Sequence, residues 1–145
     1  MIINIKKLDE KAIAPKYGTE FSAGADLYAL SEEDITIAPS QTVLVHTGIS
    51  IAIPEGCVGL IYARSGLASK KGLAPANCVG VIDSDYRGEV MVAVHNHSEK
   101  EQVISPRERI AQLVIAPYIK AEFEEAYELP VTDRGEGGFG STGSK

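Results

Sequence analysis

GVIDSDYRG, residues 80–88, is the most informative stretch of this sequence. An apolar run enters it over residues 78–82, and an alternating run leaves it over residues 89–94. Apolar runs on both sides of a polar tip are typical of a β-hairpin, and a rigid sheet holds such a tip out to solvent, where functional side chains concentrate. The stretch therefore predicts a hairpin that carries chemistry, with Asp83 as a general base and Tyr86 as a wall for a sugar ring.

Outside residues 80–88, other segments show the two-residue alternation of β-strands. The clearest covers residues 42–53, where β-branched side chains occupy one parity and Gly48 is the interruption. Weaker patterns predict strands at residues 2–8, 23–29, 35–37, 58–63, 110–119 and 121–127, with loops at residues 11–22 and 101–109. One short helix is expected, with Ser65 as its N-cap and Gly72 just after its end. Many short strands between Gly and Pro turns predict an all-β fold, a sandwich or jelly roll.

The composition limits the class of protein. A chain of 145 residues that is 44% hydrophobic can bury one substantial core, so we expect a single folded domain. Its net charge of −6 disfavours polymeric nucleic acid as a ligand. Cys57 and Cys78 lie in apolar runs without metal-ligand spacing, which predicts buried free thiols. Because no apolar run approaches the roughly 20 residues of a membrane span and the first residues do not form a secretory signal, we expect a soluble, cytoplasmic protein.

The composition changes near the C-terminus. Residues 132–145 contain five glycines, and Phe139 is their one large apolar side chain. Such a segment cannot bury enough surface to be ordered by itself, so we expect a folded domain over residues 1–130 and an arm over residues 131–145. Glycines let successive amides converge on an anion, and Phe139 offers a face for a nucleobase. Donors suited to phosphate accompany them at Arg134, Ser141 and Thr142. The alternative is a flexible tail.

Four further features allow both a structural and a functional interpretation. Residues 64–66, Arg-Ser-Gly, begin the predicted helix and form either a simple cap or an anion site. Asp26 either turns the chain or faces the water shell of a magnesium ion. Gln112 interrupts an apolar strand, so its amide needs a partner in the protein, in a neighbouring subunit or in a phosphate. His95 and His97 share a strand face, but no third metal ligand is near them in the sequence.

In this order, these segments resemble the five motifs of the homotrimeric deoxyuridine triphosphate nucleotidohydrolases (dUTPases). The corresponding segments are AGADL at 23–27, RSGL at 64–67, residues 77–88, RIAQL at 109–113 and the arm at 134–143. The resemblance covers essentially the whole chain. It implies a jelly-roll-like β-fold, a homotrimer with active sites at subunit boundaries, and Mg²⁺-dependent hydrolysis of dUTP to dUMP and pyrophosphate. That reaction would limit uracil in DNA and supply dUMP for dTMP synthesis.

The resemblance also implies a role for each matching residue. Asp83 would deprotonate the water that attacks the α-phosphorus, and Asp26 would hold Mg²⁺ through water. The phosphates would be cradled by Arg64, Ser65, Gly66 and Gln112. The uracil edge would be read by Asn77, Gly80, Val81, Ile82 and Met91. Tyr86 would lie under the deoxyribose and leave no room for a 2′-hydroxyl. The arm would close with Phe139 over the uracil, while the γ end of the triphosphate would be gripped by Arg134, Gly140, Ser141 and Thr142.

Two alternatives remain open at this point. A deoxycytidine triphosphate deaminase shares the implied fold, but it would need a catalytic acid near the base and would not be expected to carry this arm. A non-catalytic nucleotide-binding jelly-roll module would have no use for a base at Asp83. The sequence therefore favours the hydrolase over both.

Overall fold

The computed structural model describes residues 1–138 of the chain. Within them it has twelve β-strands and one α-helix, which confirms the predicted all-β class. The strands are β1 (Asn4–Lys7), β2 (Lys16–Tyr17), β3 (Ala25–Tyr28), β4 (Ile35–Ile37), β5 (Thr42–His46), β6 (Ile49–Ala52), β7 (Cys57–Tyr62), β8 (Leu73–Pro75), β9 (Gly80–Ile82), β10 (Met91–Asn96), β11 (Gln102–Ile104) and β12 (Arg109–Pro117), and the helix is α1 (Ser65–Lys71). No helix in this described part is long and apolar enough to cross a membrane.

All strand pairs are antiparallel, and they form four small sheets. The largest has the order β2-β3-β12-β7-β9, and a second has the order β5-β10-β8. Two-stranded pairs, β1-β6 and β11-β4, complete the described sheets. Buried aliphatic side chains from these sheets form one core, and the largest fully buried hydrophobic ones are Leu27, Ile37, Ile49, Leu73, Ile104 and Ile110. The arrangement is a jelly-roll-like sandwich, as the alternation predicts.

The long alternating segment at residues 42–53 is divided at Gly48, as expected. Its first half, β5, pairs with β10, whereas its second half, β6, pairs with β1. Gly48 has a φ of 68°, and a Cβ at this position would lie 2.8 Å from Cβ of Ala12 and 2.5 Å from Cδ2 of Leu30. Only glycine fits both the backbone conformation and the space. The break therefore sends one continuous sequence pattern into two sheets.

The prediction of a hairpin around residues 80–88 is wrong in its pairing. β9 pairs with β7, and β10 pairs with β5 and β8, so the stretch between β9 and β10 connects two sheets. The alternation of side chains sets which face of a strand is buried, but it does not specify the neighbouring strand. The polar tip still stands at the surface, because Asp83, Asp85 and Tyr86 are exposed.

Other local predictions also need correction. The loops predicted at residues 11–22 and 101–109 contain the short strands β2 and β11. The strand predicted at residues 121–127 is not formed, and residues 118–138 contain no helix or strand. Cys57 is a buried free thiol as expected, but Cys78 is exposed, because it lies at a turn with a φ of 61° rather than inside a strand.

Helix α1 ends as predicted but begins differently. Gly72 terminates it in the left-handed conformation and donates its N–H to the carbonyl of Ala68 at 3.0 Å. The N-cap is Arg64, with extended dihedrals and no side-chain cap, and Ser65 is the first helical residue. The predicted serine cap is therefore wrong. One consequence is that Arg64 stands at the junction of β7 and α1 with its side chain free to reach β3.

Candidate active site

A buried carboxylate with two arginines forms the first part of the site. Asp26, in β3, accepts a hydrogen bond at Oδ1 from Nε of Arg64 at 2.6 Å, and at Oδ2 from Nη1 of Arg109 at 3.2 Å. The Asp26 side chain is 12% exposed, whereas that of Arg109 is 52% exposed. A buried carboxylate needs such partners to remain ionised at low cost. Since two guanidinium groups face one carboxylate, the cluster keeps an excess of positive charge toward solvent.

Arg109 belongs to the sequence motif at residues 109–113 but was not among the predicted site residues. It begins β12, and a register irregularity between Arg109 and Ala111 separates it from the regular ladder with β3. Its guanidinium consequently reaches Asp26, although Asp26 is paired in register with Gln112. A single arginine at the start of a strand is, by itself, a weak indication of a binding site. Its proximity to Asp26, 83 positions away in sequence, comes only from the fold.

A cleft of about 560 Å³ opens above this cluster. Its described lining is Gly18, Ser22, Ala23, Gly24, Asp26, Tyr62, Arg64, Ser65, Gly66, Arg109, Gln112 and Val114. Outside the arm, the structure thus brings together the five residues predicted to bind phosphate and metal, namely Asp26, Arg64, Ser65, Gly66 and Gln112. Two arginines, hydroxyls and small residues in an open cleft suit an anion such as a phosphate chain. We therefore name this the phosphate cleft.

Gln112 has a structural partner within the chain. Its Nε2 donates to the carbonyl of Ala63 at 2.9 Å, and its side chain fills the space over Gly24. A Cβ on Gly24 would collide with the Gln112 amide. This contact joins β12 to the end of β7 just before Arg64. The amide therefore helps to fix Arg64, and its polar group borders the phosphate cleft at the same time.

A second cleft, of about 260 Å³, lies beside the polar stretch between β9 and β10. Its lining comprises Leu44, Ile61, Asn77, Gly80, Val81, Ile82, Asp83, Tyr86, Glu89, Val90 and Met91. The structure thus gathers every residue expected to read a base or a sugar outside the arm, together with Asp83. Apolar walls with one amide, one phenol and two carboxylates are typical of a site for a small, flat polar molecule. We name this the base cleft.

Tyr86 is held firmly in the base cleft. Its hydroxyl donates to the backbone carbonyl of Glu89 at 2.9 Å, and its ring lies directly on Gly88. A Cβ on Gly88 would come within 2.6 Å of Cζ of Tyr86, so only glycine permits this packing. Arg87 braces the same turn, because its Nη1 donates to the carbonyls of Ser84 and Tyr86 at 2.7 and 2.8 Å. The ring is thereby braced as a wall, and the residue as a whole remains 42% exposed.

Glu89 is a second cleft residue that was not among the predicted site residues. Its Oε1 accepts hydrogen bonds from the amides of Thr47 at 3.2 Å and Gly48 at 2.7 Å, and its Oε2 lies 2.9 Å from Nδ1 of His46. Burial raises the pKa of this carboxyl, but the hydrogen bond from His46 and those from the two amides outweigh it, so the pKa is below its usual range. Nothing in the local pattern indicates these partners, which lie more than forty positions earlier.

The remaining predicted residues lie elsewhere. Nε of Arg134 donates to the carbonyl of Gly137 at 2.7 Å, and neither described cleft includes Arg134 in its lining. Phe139, Gly140, Ser141 and Thr142 lie outside the described residues. His95 and His97 pack edge to face with ring centroids 4.4 Å apart, and Nδ1 of His95 lies 2.8 Å from the Thr42 hydroxyl. Over residues 1–138 there is no group of three side chains that could hold a metal ion.

The fold and the two clefts together define a class: an all-β protein with one cleft suited to an anion and another suited to a flat polar group, the two parts of a nucleotide. The family model described as dUTPase matches residues 10–143. The chain belongs to the dUTPase family, which confirms the resemblance recognised from its five motifs.

Individual relatives agree with this membership. The deoxyuridine 5′-triphosphate nucleotidohydrolase of Hydrogenobaculum sp. is 50% identical over 145 residues, covering 100% of both chains. That of Syntrophotalea carbinolica is 47% identical, covering 97% of this chain and 96% of the relative. Among solved structures, a dUTPase of Staphylococcus bacteriophage 80alpha with dUpNHpp has a TM-score of 0.89 at 29% identity, covering 98% of each chain. A phage phi11 dUTPase, with a TM-score of 0.79 at 25% identity and coverage of 88% and 98%, is described as coordinating a structural Mg(II) ion.

Proposed function

We propose that this chain is a dUTP diphosphatase, which hydrolyses dUTP to dUMP and pyrophosphate. The observation that carries the proposal is the pair of clefts. One presents Arg64 and Arg109 to an anion, and the other presents Asp83 beside walls suited to a base and a sugar. Membership of the dUTPase family supports the same substrate. In the cell this reaction limits uracil in DNA and provides dUMP for dTMP synthesis.

Asp83 is the general base in this proposal. It follows β9 directly and is exposed at the start of the turn, where a water molecule has access to it. The carboxylate takes a proton from that water while the water oxygen forms a bond to the α-phosphorus. The bond from the α-phosphorus to the bridging oxygen of the β-phosphate breaks in line, and pyrophosphate leaves. A positioned base contributes about 10²–10⁴-fold to such a step, and positioning with charge neutralisation supplies the rest.

The phosphate cleft would hold the triphosphate. Arg64 and Arg109 carry charges that a single carboxylate does not balance, and Ser65 with Gly66 adds a hydroxyl and an open backbone at the start of α1. Arginine forks bind phosphate oxygens with two hydrogen bonds each. Arg134, Phe139, Gly140, Ser141 and Thr142 would close over the substrate as a lid and exclude bulk water.

Mg²⁺ would enter the phosphate cleft as a hydrated ion carried by the substrate, because the triphosphate would offset the excess positive charge of Arg64 and Arg109. Asp26 is one carboxylate with both oxygens already engaged by arginines, so the described residues offer no complete set of direct ligands. Magnesium keeps several waters and commonly takes its remaining ligands from phosphates. Asp26 would therefore hold the ion through water, and the triphosphate would supply the direct ligands. When bound, the ion would neutralise negative charge on the phosphates.

The base cleft would select uracil and deoxyribose. Asn77 and the backbone around Gly80, Val81, Ile82 and Met91 would read the edge of uracil, and the close walls would exclude the 5-methyl group of thymine. Tyr86, fixed on Gly88, would lie under the deoxyribose and leave no room for a 2′-hydroxyl. A site that hydrogen-bonds the correct edge rejects an analogue strongly, because the unmatched polar groups are then left unpaired.

We also propose that the active form is a homotrimer in the cytoplasm, with each site at a subunit boundary. Supporting this, the segment after β12 carries apolar side chains that the chain itself does not cover, including Phe123 and Tyr127, which are 96% and 109% exposed. Exposed apolar surface of this extent is typical of interfaces. The division into a domain at residues 1–130 and an arm at residues 131–145 stays a prediction.

The test is a nucleotide panel of dUTP, dTTP, dCTP and UTP, incubated with Mg²⁺ and read by mass spectrometry. We expect dUTP to be converted to dUMP and pyrophosphate while the other three remain intact. A deaminated product from dCTP would instead identify a dCTP deaminase. Binding of dUTP without any turnover would identify a nucleotide-binding module. Either result would overturn the proposed function.

A further inference from the structure

A clasp joins the base cleft to the turn between β5 and β6. We call it the Glu89 clasp: the carboxylate of Glu89 with His46 and the amides of Thr47 and Gly48. Its three contacts measure 2.9, 3.2 and 2.7 Å. The side chain of Glu89 is 20% exposed, and Thr47 is 1% exposed, so the amide hydrogen bonds are shielded from water. Charge-assisted hydrogen bonds of this kind are stronger than neutral ones.

The turn that the clasp grips is itself rigid. Gly48 accepts a hydrogen bond at its carbonyl from the amide of Leu8 at 2.8 Å, and the carbonyl of His46 accepts one from the amide of Leu30 at 2.8 Å. The neighbours Ala12 and Leu30 fill the space that a side chain at Gly48 would need. The clasp is therefore tied to the backbone shortly after β1 and β3 and packs against the buried Ala12, so it reaches beyond its own turn.

The other end of the clasp reaches the sugar wall. The backbone carbonyl of Glu89 accepts the hydroxyl of Tyr86 at 2.9 Å. Next in the chain, the amide of Val90 donates to the carbonyl of Ile49 at 2.8 Å, and the carbonyl of Val90 accepts from the hydroxyl of Thr47. The side chain of Glu89 thus binds the turn between β5 and β6, and its backbone carbonyl binds the Tyr86 hydroxyl.

We propose that Glu89 is a positioning residue for sugar discrimination, which fixes the Tyr86 ring where it excludes a 2′-hydroxyl. The inference rests on the proposed function, since it assigns the selectivity of the same site. Exclusion of one hydroxyl group is a steric effect, so a displacement of the Tyr86 ring by a fraction of an ångström would admit the 2′-hydroxyl. The ring would be displaced in this way if the loop that carries it made contacts only within itself. The tie from Glu89 to the β5–β6 turn prevents it.

Substitutions at Glu89 separate geometry from charge. Glu89→Gln keeps an Oε1 acceptor for both amides and places an NH₂ group against the ring nitrogen of His46. Glu89→Ala leaves the amides of Thr47 and Gly48 without their acceptor. Glu89→Asp keeps the charge but withdraws the carboxylate from the turn, so it decides the question if the alanine variant fails to fold.

The experiment measures kcat/KM for dUTP and UTP in the wild type, in these three variants and in Glu108→Ala as a matched control. Glu108 forms a similar clasp outside both clefts, with contacts of 2.7 Å to Lys71 and 2.9 Å to the amide of Ser105. We expect the dUTP-to-UTP ratio to fall at least about tenfold in the alanine and aspartate variants, since a 1 Å misplacement can cost about 10²-fold. In Glu89→Gln and Glu108→Ala the ratio should stay within about threefold, although Glu108→Ala should lower the melting temperature.

An unchanged ratio in Glu89→Asp, with both substrates losing activity equally, would overturn the inference and leave Glu89 a purely structural residue. A fall in the ratio in Glu108→Ala would do the same, because any loss of stability would then relax selectivity. Failure of the wild type to hydrolyse dUTP or to discriminate against UTP would instead refute the proposed function, before any variant is compared.

Discussion

Two aspartates of the site have opposite environments. Asp26 is buried with an arginine on each oxygen, whereas Asp83 is exposed at the start of its turn. Both oxygens of Asp26 are already paired with guanidinium groups, which suits a role in charge balance. An exposed carboxylate beside a cleft is accessible to a water molecule. This contrast supports the proposed division of roles, with charge balance at Asp26 and base catalysis at Asp83.

The Asp83→Asn variant tests the base directly. We expect hydrolysis of dUTP to fall at least about 10²-fold, because the amide cannot accept the proton of the attacking water. Binding of a non-hydrolysable dUTP analogue should change by no more than a few fold, since the side chain keeps its size. Pyrophosphate release and calorimetric titration measure the two quantities. Turnover at the wild-type rate would remove Asp83 from the mechanism.

Glu89 gives a pH-dependent contribution to stability. Its pKa in the folded state is below its usual range, so its stabilisation is present above the pKa of the unfolded chain and is lost as pH falls through the lower folded value. We expect Glu89→Gln to be less stable than the wild type at about pH 7, and the difference in unfolding free energy to shrink below the ordinary Glu pKa of about 4.3. Urea unfolding at several pH values measures it, with the exposed Glu124→Gln as the control. A difference that does not vary with pH would contradict this assignment.

At the scale of elements, Gly48 determines how the β-segment at residues 42–53 is used. It breaks the segment so that β5 enters the sheet with β10 while β6 pairs with β1. The same break exposes the amides of Thr47 and Gly48 to the carboxylate of Glu89. One glycine therefore connects the sandwich architecture with the wall of the base cleft.

Substitution of this glycine should be costly. Gly48→Ala adds left-handed strain and overlap with Ala12 and Leu30, for which we expect a loss of about 2–4 kcal/mol in unfolding free energy. Gly56→Ala is the matched control, because its φ is also positive at 78° but no atom lies within 4 Å of the added Cβ. It should lose about 1 kcal/mol from strain alone. Chemical denaturation of both variants checks the difference, and equal losses would show that space at Gly48 is unimportant.

At the scale of the whole molecule, the segment after β12 leaves much apolar surface uncovered. Its large side chains at least 84% exposed are Ile119, Phe123, Tyr127, Leu129 and Val131. We expect copies of the chain to cover this surface and form a trimer, with a mass by light scattering of three times the 15.5 kDa of one chain. Replacing Phe123 and Tyr127 together by serine should weaken the assembly. A monomer at micromolar concentration in the wild type would contradict the prediction.

Removal of the arm tests a different property of the assembled molecule. A chain that ends at Asp133 should keep its fold and its mass in solution, because the core and all described strands lie before that point. Its hydrolysis of dUTP should fall to a small fraction of the wild-type rate, since the lid residues would be missing. Pyrophosphate release reports the activity, and circular dichroism reports the fold. Full activity would exclude the arm from the mechanism.

Features that depend on residues close in sequence could be predicted from the sequence alone. Alternation of apolar residues predicts β10 and β12, Gly48 predicts a break, and Gly72 predicts the end of α1, because each depends on neighbours within a few positions. The motifs around Asp26, Arg64 and Asp83 likewise identify the family. A period of two assigns a face to each strand but no partner, so the separation of β9 and β10 into two sheets was not predictable.

Only the tertiary structure assigned Arg109 and Glu89 to the clefts. Arg109 meets Asp26 across 83 positions of sequence, and Glu89 meets Thr47 and Gly48 across 42 and 41. Contacts of that range arise from how sheets pack and where a strand loses its register, and no local pattern encodes them. An ionisable side chain obtains its role from the charges and amides that the fold brings to it, and those partners are chosen by topology.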